Sequence, residues 1–149
     1  MNIDPGHIKV RKAKDSDLDV LVDLSGQLGY PATREEIRNR FSLLCKENNH
    51  IVLVAEAKGH GVVGWVHVLL RRLLMSEPMA EIGGLVVDEK NRDKGIGRAL
   101  LAAAEKWVKS KGFARMVVRS NTARQEAHDF YPHVGFTHVK TQHVYSKQI

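Results

Sequence analysis

A short run of charged and glycine residues has the composition of a site for phosphate groups. The run Arg92-Asp93-Lys94-Gly95-Ile96-Gly97-Arg98 lies between a predicted strand and the strongest predicted helix. Its two glycines allow the backbone to fold tightly with N–H groups facing outward, and a helix N-terminus adds about half a positive charge. Arg92, Lys94 and Arg98 add three full charges. These features predict a pyrophosphate-binding loop at residues 92–98.

Other phosphate-binding motifs fit this run less well. A dinucleotide fingerprint requires Gly or Ala where Leu100 stands, and an acidic residue about 20 positions further on, where the chain has Met116-Val117-Val118. A P-loop requires a Gly-Lys pair followed by Ser or Thr, and no Gly-Lys pair occurs in the sequence. For the glycine spacing alone, a surface turn with scattered charges is the alternative.

The residues around this loop resemble the Gcn5-related N-acetyltransferase (GNAT) family. The acetyl-CoA motif of that family is Arg or Gln, two residues, Gly, one residue, and Gly or Ala; Arg92, Gly95 and Gly97 match it. The surrounding run AEIGGLVVDEKNRDKGIGRALLAAAEKW is similar to the family throughout, and so is Asn121 followed by AHDFYPHVGF. The resemblance covers roughly residues 8–147, with its specific motifs within residues 80–136.

The resemblance implies acetyl-CoA as the acyl donor and direct attack by an amine, with no acyl-enzyme and no metal. It implies that Val86 and Val87 offer backbone groups to the pantetheine arm, while Asn121 hydrogen-bonds that arm. Ala127 and Phe130 would flank the thiol end. The full set of predicted cofactor-binding residues is Val86, Val87, Arg92, Lys94, Gly95, Ile96, Gly97, Arg98, Asn121, Ala127 and Phe130.

Acetylation of an amine requires a base for the acceptor and an acid for the leaving thiolate. An alkyl ammonium has a pKa of about 10.4, so freeing its lone pair at pH 7 costs about 4–5 kcal/mol. Glu81 is the candidate base, because it precedes the glycine pair 83–84 on one strand and histone-type family members have a catalytic glutamate at a similar place. Pairing with an arginine, or ordering of water or acceptor, is its alternative role.

Tyr131 is the candidate acid, since the family resemblance directs its hydroxyl at the sulfur and a phenol can donate a proton. Packing in the core is the alternative for this ring. Pro132 departs from the family pattern and predicts a kink beside Tyr131. Paired glycines at 83–84 predict a bulge or a close backbone approach, whose N–H groups would polarise the thioester carbonyl.

The acceptor is expected to enter from the side of the first two helices, as the resemblance implies. The predicted acceptor residues are Leu28, Gly29 and Tyr30, with Trp65 and His67 on a neighbouring strand as walls. Such a loop suits the primary amine of a small molecule. A peptide or protein acceptor, and a non-catalytic acyl-CoA-binding domain, are the alternatives; the presence of both candidate catalytic residues favours the enzyme.

Hydrophobic periodicity predicts one α/β domain over residues 1–149 to position these groups. The expected GNAT-like fold has a central mixed, mostly antiparallel sheet flanked by about four helices, in the order β-α-α-β-β-β-α-β-α-β-β. Predicted strands are 8–11, 51–57, 62–71, 80–88, 114–120, 136–138 and 142–146; helices begin near residues 15–17, at Thr33 with a capping box to Glu36, and span 95–111 and 122–134.

Composition narrows the class of protein further. The chain has 149 residues, 43% hydrophobic and 27% charged, one cysteine and a net charge of +6, which excludes a disordered chain, a disulfide framework and a membrane-spanning run. The basic residues are spread out and aromatics are 6%, so no nucleic-acid partner is expected. The eight histidines lack metal-ligand spacing. A cytoplasmic enzyme is expected, without a membrane partner, and the two short C-terminal strands predict a homodimer.

Overall fold

A five-stranded sheet organises the computed structural model, which describes residues 5–149. The strands are β1 (Ile8–Lys12), β2 (His50–Ala57), β3 (Gly61–Leu73), β4 (Ser76–Val87) and β5 (Met116–Val118). Their order in the sheet is the order in the chain; every neighbouring pair is antiparallel except β4 and β5, which are parallel. The predicted mixed, mostly antiparallel sheet is confirmed.

Four α-helices accompany the sheet, namely α1 (Leu18–Leu28), α2 (Arg34–Cys45), α3 (Ile96–Ser110) and α4 (Gln125–His133), with single 3-10 turns at Pro5–His7, Asp15–Asp17 and Glu89–Asn91. The predicted capping box opens α2, because the Thr33 hydroxyl oxygen accepts from the Glu36 N–H at 3.1 Å. Gly29 ends α1 with φ +101°, a left-handed conformation that favours glycine.

The chain divides into two compact units. The larger unit ends at Arg119 and contains the whole sheet with α1, α2 and α3; the smaller unit, Ser120–Ile149, contains α4.

Helices cover both faces of the sheet in the larger unit. Alternation along β3 sends Val66 and Val68, both fully buried, to the face of α3. The opposite face carries Trp65, which packs on a cluster of Leu18, Leu21, Phe41 and Val54 under α1 and α2. Because side chains two apart on a strand share a face, His67 lies on the same side as Trp65.

The paired glycines of β4 form the predicted bulge. His67 is opposite Gly84 and Val68 is opposite Ile82, so Gly83 is an extra residue in β4. This strand begins at Ser76, earlier than predicted, and includes Pro78. A proline is tolerated there because β5 pairs with β4 only over Ala80–Ile82, leaving an edge beside Pro78.

The prediction of two C-terminal strands at 136–138 and 142–146 is wrong. Residues 134–149 form no helix or strand, and Val139, Val144 and Tyr145 are exposed. An alternating pattern becomes a strand only when neighbouring backbone groups complete its hydrogen bonds, and no described strand of this chain pairs with that segment.

Candidate active site

The loop before α3 has the backbone of an anion site. Asp93 and Gly95 have φ of +61° and +80°, which turns the chain sharply into α3. No side chain caps this helix, and its first turn contains no acidic residue. A methyl group placed on Gly95 would meet nothing within 4 Å, so the space over the turn is open. The first N–H groups of α3 are therefore available to a bound anion.

Cations surround this turn and connect it to the end of β4. Arg92 donates from Nε to the Val87 carbonyl oxygen at 3.2 Å, and Lys94 Nζ lies 3.5 Å from the Lys90 carbonyl oxygen. Arg92 and Arg98 are exposed and Lys94 is half-buried. An open glycine turn, an uncapped helix N-terminus and three cations together fit the pyrophosphate of coenzyme A, and the predicted loop is brought together as expected.

One edge of β4 lacks a partner strand beyond the bulge. The parallel pairing with β5 ends at Ile82 and Val118, whereas β4 continues to Val87. In the part of the chain that the structure describes, no other strand pairs with this edge of residues 83–87. An extended ligand with amide groups, such as a pantetheine arm, can hydrogen-bond there as an additional strand would. Val86 and Val87, the residues predicted for that arm, lie on this segment.

Glu81 lies between two guanidinium groups. Its Oε1 accepts from Arg71 Nη1 at 3.1 Å and from Arg119 Nε at 2.6 Å. Its side chain is only 14% exposed. Pairing with arginine, the alternative role of this residue, is thus present, and the two guanidinium groups hold the carboxylate in position. Its role as the base stays a prediction.

A half-buried histidine pair lies on the same face of the sheet as Glu81. His67 Nε2 is 2.9 Å from His50 Nδ1, and the two rings stack with centroids 5.2 Å apart. His50 Nε2 in turn lies 3.2 Å from Glu47 Oε2. Burial, and secondarily the neighbouring His50, lower the pKa of His67 to about 4, while Glu81 acts in the opposite direction. His67 is therefore neutral at pH 7.

Sequence reasoning missed His50 and Glu47. The signal was present in the hairpin, because the turn after β2 fixes an antiparallel register in which His50 and His67 are diagonal neighbours on one face. Arg71 and Arg119 were missed as well, because the register of β3, β4 and β5 that brings them to Glu81 depends on long-range pairing.

The wall predicted for the acceptor lies over the second glycine of the bulge. A methyl group on Gly84 would lie 2.8 Å from the Trp65 ring and 3.7 Å from Leu28 Cδ2. The structure therefore brings Leu28 and Trp65 together. Gly29 and Tyr30 follow at the exposed end of α1, and the Tyr30 side chain is 68% exposed.

The smaller unit contains the remaining predicted residues. Tyr131 packs edge-on between Phe130 and Phe136, with ring centroids 5.2 and 5.5 Å away. Burial raises the pKa of Tyr131 above its usual 10.0, so the phenol stays protonated at neutral pH. Pro132 lies in the last turn of α4, which ends one residue later, so little helix remains for it to kink. Asn121 accepts the Ala123 N–H at 2.9 Å through Oδ1; Ala127 is buried.

Two further features are absent from residues 5–149. No group of three or more His, Cys, Asp or Glu side chains there could hold a metal ion. Within the same residues, no helix has the length and apolar character needed to cross a membrane.

An open β4 edge ending in an uncapped, cation-flanked glycine turn has the features expected of a donor site in an acyl-CoA-dependent transferase. The chain belongs to the GNAT acetyltransferase family, since the model of the Acetyltransferase (GNAT) family matches residues 19–136. It is an acetyl-CoA-dependent N-acetyltransferase, with acetyl-CoA as cosubstrate.

Solved structures share the fold over nearly the whole chain. The structure of AAC(6')-Iy with the bisubstrate analogue CoA-S-monomethyl-acetylneamine has a TM-score of 0.86 and 19% identity, covering 96% of this chain and 99% of that one. Aminoglycoside antibiotic 6'-N-acetyltransferase AAC(6')-IG from Acinetobacter haemolyticus has a TM-score of 0.83 and 19% identity, covering 95% of this chain and 99% of that one. A putative acetyltransferase from Agrobacterium tumefaciens has a TM-score of 0.81 and 23% identity, covering 93% of this chain and 99% of that one. No curated protein sequence matches this chain.

Proposed function

We propose that this enzyme transfers the acetyl group of acetyl-CoA to a primary amine of a small molecule, by direct attack of the amine on the thioester. The observation that carries the proposal is the Gly83–Gly84 bulge of β4. An apolar wall from Leu28 and Trp65, and polar groups from His67 and Glu81, lie on one face of the sheet at this bulge. Aminoglycoside antibiotic 6'-N-acetyltransferases are among the structures with this fold.

In the proposed donor site, each element contacts a different part of acetyl-CoA. Acetyl-CoA supplies an activated thioester. The first N–H groups of α3 and the surrounding cations hold its pyrophosphate, while the edge of β4 pairs with its pantetheine arm. The residues proposed for these contacts are Val86, Val87, Arg92, Lys94, Gly95, Ile96, Gly97, Arg98, Asn121, Ala127 and Phe130. Backbone N–H groups at the bulge polarise the thioester carbonyl.

Glu81 acts as the base and Tyr131 as the acid of the proposed reaction. Because Arg71 and Arg119 hold Glu81 through Oε1, this carboxylate helps to deprotonate the acceptor through Oε2 and a water molecule. Tyr131 donates its phenolic proton to the departing thiolate, which its raised pKa permits by keeping the phenol protonated. Leu28, Gly29 and Tyr30 line the acceptor's entry at the end of α1.

A panel of amines tests the proposal. Purified protein, acetyl-CoA and a thiol reagent are combined with aminoglycosides, linear polyamines, amino-acid amides and short peptides with free N-termini. We expect thiol release with one or more small amines. Release with peptides alone would instead assign a protein or peptide acceptor. Calorimetric binding of acetyl-CoA without release by any amine would identify a non-catalytic acyl-CoA-binding domain.

A further inference from the structure

A row of three polar side chains leads from the bulge of β4 to the protein surface. His67 Nδ1 is the inner end, since a methyl group on Gly83 would lie 2.7 Å from this atom. Its other nitrogen, Nε2, lies 2.9 Å from His50 Nδ1, and His50 Nε2 lies 3.2 Å from Glu47 Oε2. The row ends in solvent, because the Glu47 side chain is 54% exposed while that of His50 is 15% exposed.

With one proton on each ring, the contacts of the row define a single direction for its hydrogen bonds. A carboxylate oxygen accepts, so the proton of His50 then lies on Nε2, toward Glu47 Oε2. His50 has its lone pair on Nδ1 in this arrangement, and His67 donates to it from Nε2. The lone pair of His67 Nδ1 consequently faces the bulge. In this tautomer the half-buried imidazole directs its basic nitrogen toward β4.

We propose that His67 Nδ1 accepts the acceptor's proton at the bulge and that His50 and Glu47 conduct it to solvent. The inference rests on the proposed function and extends it, because it gives the acceptor's proton a route to solvent through side chains. The titratable and charged groups around His67 are His50 on β2, Glu81 on β4 and, behind His50, Glu47.

The proton transfers balance along this row. One N–H bond of the substrate ammonium breaks, and its electron pair becomes the lone pair that attacks the thioester carbon. The proton forms a bond to His67 Nδ1, while the Nε2 proton of His67 passes to His50 Nδ1 and the Nε2 proton of His50 passes to Glu47. Glu47 releases it to water, and exchange with water restores both ring tautomers. After attack, the amine nitrogen loses its second proton, which restores the Tyr131 phenol after that residue has given its own proton to the thiolate.

The half-buried environment of His67 suits a transient carrier of protons. Because its pKa is lowered, its imidazole is neutral in the resting enzyme and one ring nitrogen has a lone pair across the neutral range. A full positive charge on this ring is costly, and concerted transfer to His50 avoids it. The nearby Glu81 carboxylate further reduces that cost, since it acts to raise the pKa of His67.

Three His→Gln substitutions test the role of the row. His67→Gln removes the inner base, His50→Gln interrupts the row, and His60→Gln, in the exposed turn after β2, is the matched control. With an accepted amine, we expect His67→Gln to lower kcat/KM by about 10²–10⁴-fold and His50→Gln by less, with His60→Gln unchanged. Acetyl-CoA affinity by calorimetry stays that of the wild type in all three. The residual rate of His67→Gln rises with pH toward the amine's pKa, because only amine already neutral in solution reacts.

Nitrogen-15 NMR of the wild-type imidazoles separates this inference from the proposed function. At pH 7 we expect His67 to carry its proton on Nε2 with Nδ1 unprotonated, whether or not any amine is acetylated. A proton on Nδ1 of His67 would overturn the inference even if the enzyme acetylates amines. Wild-type kcat/KM and pH dependence in folded His67→Gln would overturn it as well. A protein that has the expected tautomer but acetylates no amine would refute the proposed function, and with it the catalytic use of the row.

Discussion

Gly64 on β3 gives the structure's sharpest test of packing between the sheet and α3. A methyl group at this position would lie 2.8 Å from the Val86 carbonyl oxygen, 3.2 Å from Leu100 Cδ1 and 3.4 Å from Ile96 Cγ2. The nearest atom belongs to the backbone of β4, and both side chains are almost fully buried. Overpacking costs about 1–3 kcal/mol, and a backbone contact favours the upper part of that range. We therefore expect Gly64→Ala to reduce the free energy of unfolding by about 2–3 kcal/mol.

Gly26 in α1 supplies a matched control. A methyl group there would meet nothing within 4 Å, and this glycine lies inside a helix. Gly26→Ala should therefore raise the free energy of unfolding by about 0.5–1 kcal/mol, because alanine loses less backbone entropy on folding. Two variants with the same added methyl group are expected to change stability in opposite directions.

Urea titration followed by tryptophan fluorescence and far-UV circular dichroism measures both changes. In thermal scans, Gly64→Ala should lower Tm by about 4–12 °C. Because the displaced atom is the Val86 carbonyl oxygen, this variant should also bind CoA more weakly, whereas Gly26→Ala should bind it normally. Wild-type stability in Gly64→Ala would refute the close approach of β3 to β4 and the reasoning built on it.

Four further predictions address charge, chemistry and assembly. Asp17 accepts hydrogen bonds of 2.8 and 2.9 Å from Arg11, and these bonds lower the pKa of Asp17. The ion pair therefore contributes its full stabilisation above pH 3.8, the usual pKa of the carboxyl group. This stabilisation is lost as the pH falls through the lowered pKa. Asp17→Asn should thus cost about 3 kcal/mol at pH 7 and progressively less in acid, and a penalty independent of pH would contradict this. Tyr131→Phe should lower kcat by about 10²-fold or more with acetyl-CoA binding retained, so wild-type turnover would exclude its acid role. Gly97→Asp adds a carboxylate to the loop before α3, and unchanged CoA affinity by calorimetry would disprove that assignment. The homodimer prediction has lost the support of the two C-terminal strands, which do not form; light scattering at tens of micromolar checks it, and the mass of a monomer would refute it.

The donor loop could be predicted from sequence because its information is local. A left-handed glycine, a helix start and neighbouring cations are all encoded within residues 92–98, and the conformation found at Gly95 needs no distant partner. The same holds for the capping box at Thr33 and for the bulge at the glycine pair 83–84, since both follow from short-range patterns.

The acid–base part of the candidate site could be predicted only in part. The sequence indicated Glu81 and His67 as candidate site residues on strands, but the residues that contact them come from elsewhere in the chain. Arg119 reaches Glu81 through the parallel pairing of β5 with β4, and His50 reaches His67 across the β2–β3 hairpin. The prediction of C-terminal strands was wrong for a related reason, because an alternating pattern does not specify which strand it pairs with.

The sequence by itself determined the α/β class, most elements, the family resemblance and the phosphate-binding loop, because backbone conformation and helix periodicity depend on residues close together in the chain. Only the tertiary structure decided that Glu81 is held between two arginines, that the pKa of His67 is lowered, and that contacts through His50 link His67 to Glu47. These properties depend on desolvation and on contacts across 10 residues from Arg71 to Glu81, 17 from His50 to His67 and 38 from Glu81 to Arg119, which exist only once the sheet has formed.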